Sequence, residues 1–180
     1  MRLFTAISLN EEMKDYLTEI SGKLRLLTVK GSFTVKDNYH LTLNFIGETK
    51  QLESVKEAMQ QALEKKGTGT FQLQTAGFGR FSRREGDICF IRVEKDPMLL
   101  GLQRELVIRL RDHGFDVDEF GYKPHLTLSR RTVYAHKLDE KLFGEQISIK
   151  SMEVNRISLM KSERLQGKLT YTEVYGIDLG

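Results

Sequence analysis

His40-Leu41-Thr42-Leu43 and His125-Leu126-Thr127-Leu128 are the same tetrapeptide, 85 residues apart (125 − 40). Of the four histidines in the chain, two open these copies; the others are His113 and His136. An imidazole titrates near neutral pH and can give or take a proton. A threonine hydroxyl two positions on can donate a hydrogen bond to an oxygen. Two imidazoles and two hydroxyls brought together would form an acid-base site for a small anion. Making or breaking a phosphodiester needs a base at the attacking oxygen and an acid at the leaving one, on opposite sides of phosphorus. Threonine hydroxyls would hold the non-bridging oxygens as charge builds there. Arg130, two residues past the second copy, would add a cation, with Lys123 and Tyr122 as weaker candidates on the same segment.

Each tetrapeptide sits in a run of strand composition, HLTLNFIG and HLTLSRRT. Strand side chains alternate faces, so His and Thr point one way and the leucines the other, toward a core. Strict alternation also sends Phe45 to the leucine face as a packing residue. It places Ser129, not Arg130, beside Thr127, so Arg130 joins the site only where the strand bulges or ends.

The rest of the chain must place the two strands opposite each other. RLFTAISL at 2–9 reads as a strand. Asn10 caps a helix that starts with Glu11 and Glu12 and carries the stripe Met13, Leu17, Ile20, Leu24 and Leu27. A short strand at 33–35 precedes the first motif. Leu52, Val55, Met59 and Leu63 mark a second helix, ended near Gly67. FQLQTAGFGRF at 71–81 is a strand whose glycines suggest a bulge. SRREG turns it into DICFIRVE at 87–94. Asp96 and Pro97 open the next helix, with Leu99, Leu102, Leu106 and Leu110 as its stripe and Gly114 as its stop. A short helix at 136–144 and strands at 146–160 and 168–179 complete the chain. A shift of 85 residues lays strand on strand, helix on helix and motif on motif. A duplicated strand-helix-strand unit places the motifs about a pseudo-twofold axis. The expected fold is α+β: one bilobal domain over 1–180, two antiparallel-rich sheets facing across a central cleft, helices on the outer sides.

At 180 residues, 39% hydrophobic and 29% charged, the composition is that of a globular chain. No apolar run approaches membrane-spanning length, and the N-terminus does not read as a signal peptide. Cys89 is the one cysteine; within ICFI it reads as a small buried hydrophobe. Together these features point to the cytoplasm. A net charge of +3 permits an anionic ligand without indicating one. Arg80, Arg83 and Arg84 cluster in the long hairpin, as a solvated turn or as an RNA-backbone contact. His113, before Gly114 at a helix end, suits the helix dipole and takes no catalytic role; His136, in a loop, takes none either.

HLTLNFIGE and KPHLTLSR, with GFGRFSRR between them, resemble the two-histidine phosphoesterase superfamily, and within it the RNA 2′,3′-cyclic phosphodiesterases, also named 2′-5′ RNA ligases. The resemblance covers the chain in length, motif order and spacing. It implies a bilobal fold with the motifs facing across a cleft, no metal or other cofactor, and hydrolysis of a 2′,3′-cyclic phosphate on RNA ends or nucleotides to a 2′-phosphomonoester. It also implies His40 as proton donor to the leaving 3′ oxygen, His125 as the base that activates water, and Thr42 and Thr127 as phosphate ligands. Three alternatives stand beside hydrolysis. One is 2′-5′ ligation as the reverse reaction. Another is a non-catalytic RNA-end binder. The third is a metal site on His40 and His125, disfavoured because neither motif holds a carboxylate or a cysteine.

Overall fold

The computed structural model describes residues 1–67 and 69–180. Its strands are β1 (Arg2–Ser8), β2 (Thr28–Phe33), β3 (His40–Glu48), β4 (Phe71–Phe81), β5 (Asp87–Val93), β6 (His125–Tyr134), β7 (Ser151–Val154), β8 (Arg156–Leu165) and β9 (Lys168–Asp178). Its helices are α1 (Glu11–Arg25), α2 (Leu52–Lys66), α3 (Pro97–Asp112) and α4 (Glu140–Glu145), with a 3₁₀ turn at Lys36–Asn38. The strands form two antiparallel sheets, ordered β3-β1-β8-β9 and β2-β6-β5-β4-β7. Each motif strand lies next to the strand that opens its half: β3 beside β1, β6 beside β5.

The strand on the other side of each opening strand comes from the other half of the chain. β4, from the first half, pairs with β5; β8, from the second, pairs with β1. The two halves are thus interleaved rather than laid side by side. The helices cross over too: α1 packs against β6, and α3 against β3. The 85-residue offset holds for three pairs of strand starts: β1 and β5 at residues 2 and 87, β3 and β6 at 40 and 125, and β4 and β8 at 71 and 156.

Local chemistry explains the element ends. Asn10 accepts a hydrogen bond from the Met13 amide at 2.9 Å and starts α1. Asp96 accepts from the amides of Met98 and Leu99, with Pro97 in the first turn of α3. Gly114, at φ 84°, turns the chain out of α3. Gly77, at φ 89°, sits in an irregularity of β4 between Thr75 and Phe78, as its glycines suggested.

The structure corrects three expectations. α1 ends at Arg25, so Leu27 leaves the helical stripe and is 41% exposed. The short strand expected at 33–35 lies at Thr28–Phe33, where it pairs with β6. The stretch expected as one strand at 146–160 is β7 and β8, parted at Asn155. β7 belongs to one sheet and β8 to the other. Apolar residues two apart recur on both sides of the break, Met152 and Val154 before it and Ile157 and Leu159 after it, and the step of three between Val154 and Ile157 falls where the chain changes sheets.

Candidate active site

The two motif strands repeat each other in detail. Over 40–45 and over 125–130, each strand alternates half-buried and buried residues, then has two buried residues in a row, then an exposed one. Leu41, Leu43, Leu126 and Leu128 are all buried, as expected. The half-buried His and Thr of each copy face away from them.

The adjacent buried pairs are bulges. In β3, Ala6 pairs with Thr42 and Thr5 with Asn44, which leaves Leu43 as the extra residue. In β6, Phe90 pairs with Thr127 and Cys89 with Ser129, which leaves Leu128 extra. An extra residue resets the alternation beyond it. The two bulges occupy matched positions, 43 and 128. Each turns a polar residue inward, and each of these is satisfied. Thr5 donates to Asn44 Oδ1 at 3.1 Å, and the Ser129 and Thr132 hydroxyls lie 2.6 Å apart.

The reset moves two residues onto the His-Thr face. Phe45 is not a core residue. It is 62% exposed, and its ring lies 6.2 Å from that of Phe4, which is 4.9 Å from the His40 ring. Arg130 occupies the matched position in β6, and its charge reaches both histidines, depressing the pKa of each.

Both imidazoles are anchored in the same way. His40 Nδ1 lies 2.7 Å from the Asn38 carbonyl, and His125 Nδ1 lies 2.6 Å from the Lys123 carbonyl. A carbonyl only accepts, so in each neutral ring Nδ1 carries the hydrogen and Nε2 is the free base. His40 Nε2 accepts from the Thr42 hydroxyl at 2.8 Å. Burial is the main influence lowering both histidine pKa values; Arg130 adds to it for both, and His125 adds to it for His40. The carbonyl contacts oppose the shift. β3 and β6 come into contact, and Tyr122 O–H, just before the second motif, donates to the Thr42 carbonyl at 3.0 Å. His40, His125 and Arg130 therefore share one electrostatic neighbourhood, with Thr42 and Thr127 on the same strand faces as their histidines.

Aromatic walls flank the histidines, and sequence reasoning missed most of them. The His40 ring stands 4.9 Å from Phe4 and 5.1 Å from Tyr171. The His125 ring stands 5.1 Å from Phe90 and 5.4 Å from Phe81. Phe81 ends GFGRF and Phe90 is the centre of ICFI, but only the sheet register shows that they face the motif. The basic hairpin divides. Arg80 pairs with Asp87 at 2.9 Å and Glu140 at 3.0 Å on the far face of the sheet, a structural role. Arg83 is exposed, with its guanidinium 5.8 Å from the Phe81 ring centre. His113 caps α3 and bridges Ser54 and Gln61 on α2 at 3.0 and 3.2 Å, well apart in role from the motifs. Cys89 is buried, its sulfur 3.0 Å from the Tyr134 hydroxyl. Among the described residues, no group of three or more His, Cys, Asp or Glu side chains is placed to hold a metal ion.

Residues 34–166 match the 2′-5′ RNA ligase superfamily. The chain belongs to this family. Among its relatives, an RNA 2′,3′-cyclic phosphodiesterase of Thermotoga maritima is 35% identical over 86% of this chain and 81% of its own length. One of Methanothermobacter thermautotrophicus is 29% identical over 97% of this chain and 96% of its own. Solved structures share the fold. Escherichia coli LigT complexed with 3′-AMP superposes with a TM-score of 0.76 at 23% identity, covering 99% of this chain and 97% of that one. TT0787 of Thermus thermophilus superposes at 0.78, also at 23% identity, covering 99% and 98%. No helix among the described residues is long and apolar enough to cross a membrane.

Proposed function

We propose that this superfamily member hydrolyses the 2′,3′-cyclic phosphate of RNA ends to a 2′-phosphomonoester. The observation that carries the reading is the matched anchoring of the two histidines. Each has Nδ1–H tied to the carbonyl two residues earlier, so each offers Nε2 from an equivalent point on an equivalent strand. The curated relatives, named for this activity, support it.

The steps follow from that geometry. Cyclic phosphate binds between the motifs, with its non-bridging oxygens on the hydroxyls of Thr42 and Thr127 and on Arg130. Its negative charge offsets the mutual repulsion of the cations and lets one imidazole hold a proton. His125 Nε2 takes a proton from water as the water oxygen bonds to phosphorus. The bond from phosphorus to O3′ breaks on the opposite side, and O3′ takes the proton from His40 Nε2. The 2′ ester is left intact. Proton transfer by each imidazole is worth about 10²–10⁴ in rate. Residues 1–180 act as one unit in this reading, since each half supplies one histidine. The protein works in the cytoplasm, where a lone reduced Cys89 is at home.

The test is product analysis after incubation with an RNA ending in a 2′,3′-cyclic phosphate, with EDTA present. A 2′-phosphate product with EDTA present is expected. Tight binding without turnover would favour an RNA-end binder; turnover only after a divalent metal is restored would defeat the metal-free mechanism.

A further inference from the structure

Each motif is held by the segment that leads into the other. The extra residues Leu43 and Leu128 interrupt the ladder just past Thr42 and Thr127. At that point the backbone carbonyl of each threonine accepts a hydrogen bond from a hydroxyl of the other half. Tyr122, ahead of β6, donates to the Thr42 carbonyl at 3.0 Å. Thr34, just past β2, donates to the Thr127 carbonyl at 3.0 Å, and its amide donates to the Leu128 carbonyl at 2.9 Å.

These two hydroxyls are not copies of one duplicated residue. Shifted by 85 residues, Thr34 falls on Glu119 (34 + 85) and Tyr122 falls on Asp37 (122 − 85). One short side chain and one long one, at positions that do not correspond, reach carbonyls that do.

Each contact also lies beside the anchor of an imidazole. The Lys123 carbonyl that holds His125 belongs to the residue after Tyr122. The Asn38 carbonyl that holds His40 lies on the segment that Thr34 begins, and the Asn38 side chain donates to the Leu169 carbonyl at 2.9 Å. The Thr42 hydroxyl, in turn, donates to His40 Nε2 at 2.8 Å. A continuous path therefore runs from the His40 ring through Thr42, Tyr122 and Lys123 to the His125 ring. Burial holds the Tyr122 phenol well above its ordinary pKa, so its O–H stays a donor wherever the histidines titrate.

In-line transfer needs each Nε2 close to its own oxygen, on opposite sides of phosphorus. The spacing of the rings then matters as much as their orientation. A displacement of about 1 Å that originates away from the chemistry can cost about 10²-fold in rate.

We propose that the hydroxyls of Tyr122 and Thr34 are positioning groups that set the spacing of the two imidazoles. Each ties the threonine of one motif to the segment that orients the histidine of the other. Both hydroxyls are committed to backbone carbonyls and act through His40 and His125. The effect on rate rests on the hydrolase reading; the link between the rings does not.

The test has two arms, on Tyr122→Phe and Thr34→Val, each of which removes a hydroxyl and little else. The first arm follows the ring signals of His40 and His125 in proton–carbon NMR correlation spectra of the protein without substrate. Tyr122→Phe should move the signals of both rings and leave those of His113 in place. Unmoved signals from His40 and His125 would overturn the link. The second arm measures turnover of adenosine 2′,3′-cyclic phosphate well below the thermal transition of each variant. In both variants kcat should fall by about tenfold to 10²-fold, with KM changed by less than about threefold. Thr34→Ser, which restores the hydroxyl, should recover most of the rate lost in Thr34→Val. Added to His125→Ala, Tyr122→Phe should cost less than about twofold, because it acts through that ring. Lower stability with kcat unchanged, or a full further loss on top of His125→Ala, would show contacts that only support the fold and would overturn the proposal. A wild-type protein that turns over no cyclic phosphate would remove the hydrolase reading and leave the first arm to decide the link.

Discussion

At the scale of single residues, the site depends on holding two imidazoles in one orientation. The carbonyls of Asn38 and Lys123 fix each ring and its tautomer. His40→Ala and His125→Ala should each lower kcat by about 10²–10⁴ with the fold retained. The double variant should lose far less than the product of the two, because groups serving one transition state act as a unit; multiplicative losses would show that they do not. A pH profile gives a second check. Both histidines have pKa values below the ordinary 6.5 or so, chiefly through burial, so the kcat/KM bell of the free enzyme should have its basic limb below about 6.5. A plateau extending well above that pH would contradict the assignment. The sign for stability is the same. The unfolded chain takes up these two protons near pH 6.5 and the folded chain only at lower pH. Their stabilising contribution is therefore complete above about pH 6.5 and is lost on acidification below it.

At the scale of elements, alternation in the motif strands was readable and its interruption was not. Leu41, Leu43, Leu126 and Leu128 could be assigned to the core because apolar residues two apart share a face. Leu41→Ala and Leu126→Ala, at fully buried sites, should each cost about 2–5 kcal/mol of unfolding free energy in denaturant titrations. A cost below about 1 kcal/mol at either site would mean that the leucine is not part of the packed face. The bulges at 43 and 128 left no mark in the sequence, since no glycine or proline lies there and Leu-Asn and Leu-Ser are ordinary strand neighbours. That is why Phe45 was placed in the core, and why Arg130 depended on a break in the strand. The aromatic walls were hidden for the same reason. Phe4, Phe81, Phe90 and Tyr171 meet the histidines across ladders whose register follows from tertiary pairing, not from any local pattern.

At the scale of the whole molecule, the 85-residue offset was legible, and the exchange of strands between halves was not. Offset arithmetic shows which elements correspond; it does not show which partner each one pairs with. Because β4 completes the sheet of β5 and β8 that of β1, neither half holds a finished sheet. Fragments 1–84 and 85–180, expressed apart, should each lack a cooperative thermal transition, and mixing them should restore one. A fragment that unfolds cooperatively by itself would contradict the interleaving.

The matched bulges at Leu43 and Leu128 have one more consequence. A pair of identical halves would surround a phosphate evenly and leave the substrate alone to set which side is which. Joining the halves in one chain lifts that constraint. The residue that each bulge turns toward the histidines is Phe45 in one half and Arg130 in the other. One side gains a ring and the other a charge at the same geometric position. The twofold framework presents two equivalent imidazoles, and the ring and the charge at these matched positions make their surroundings unequal.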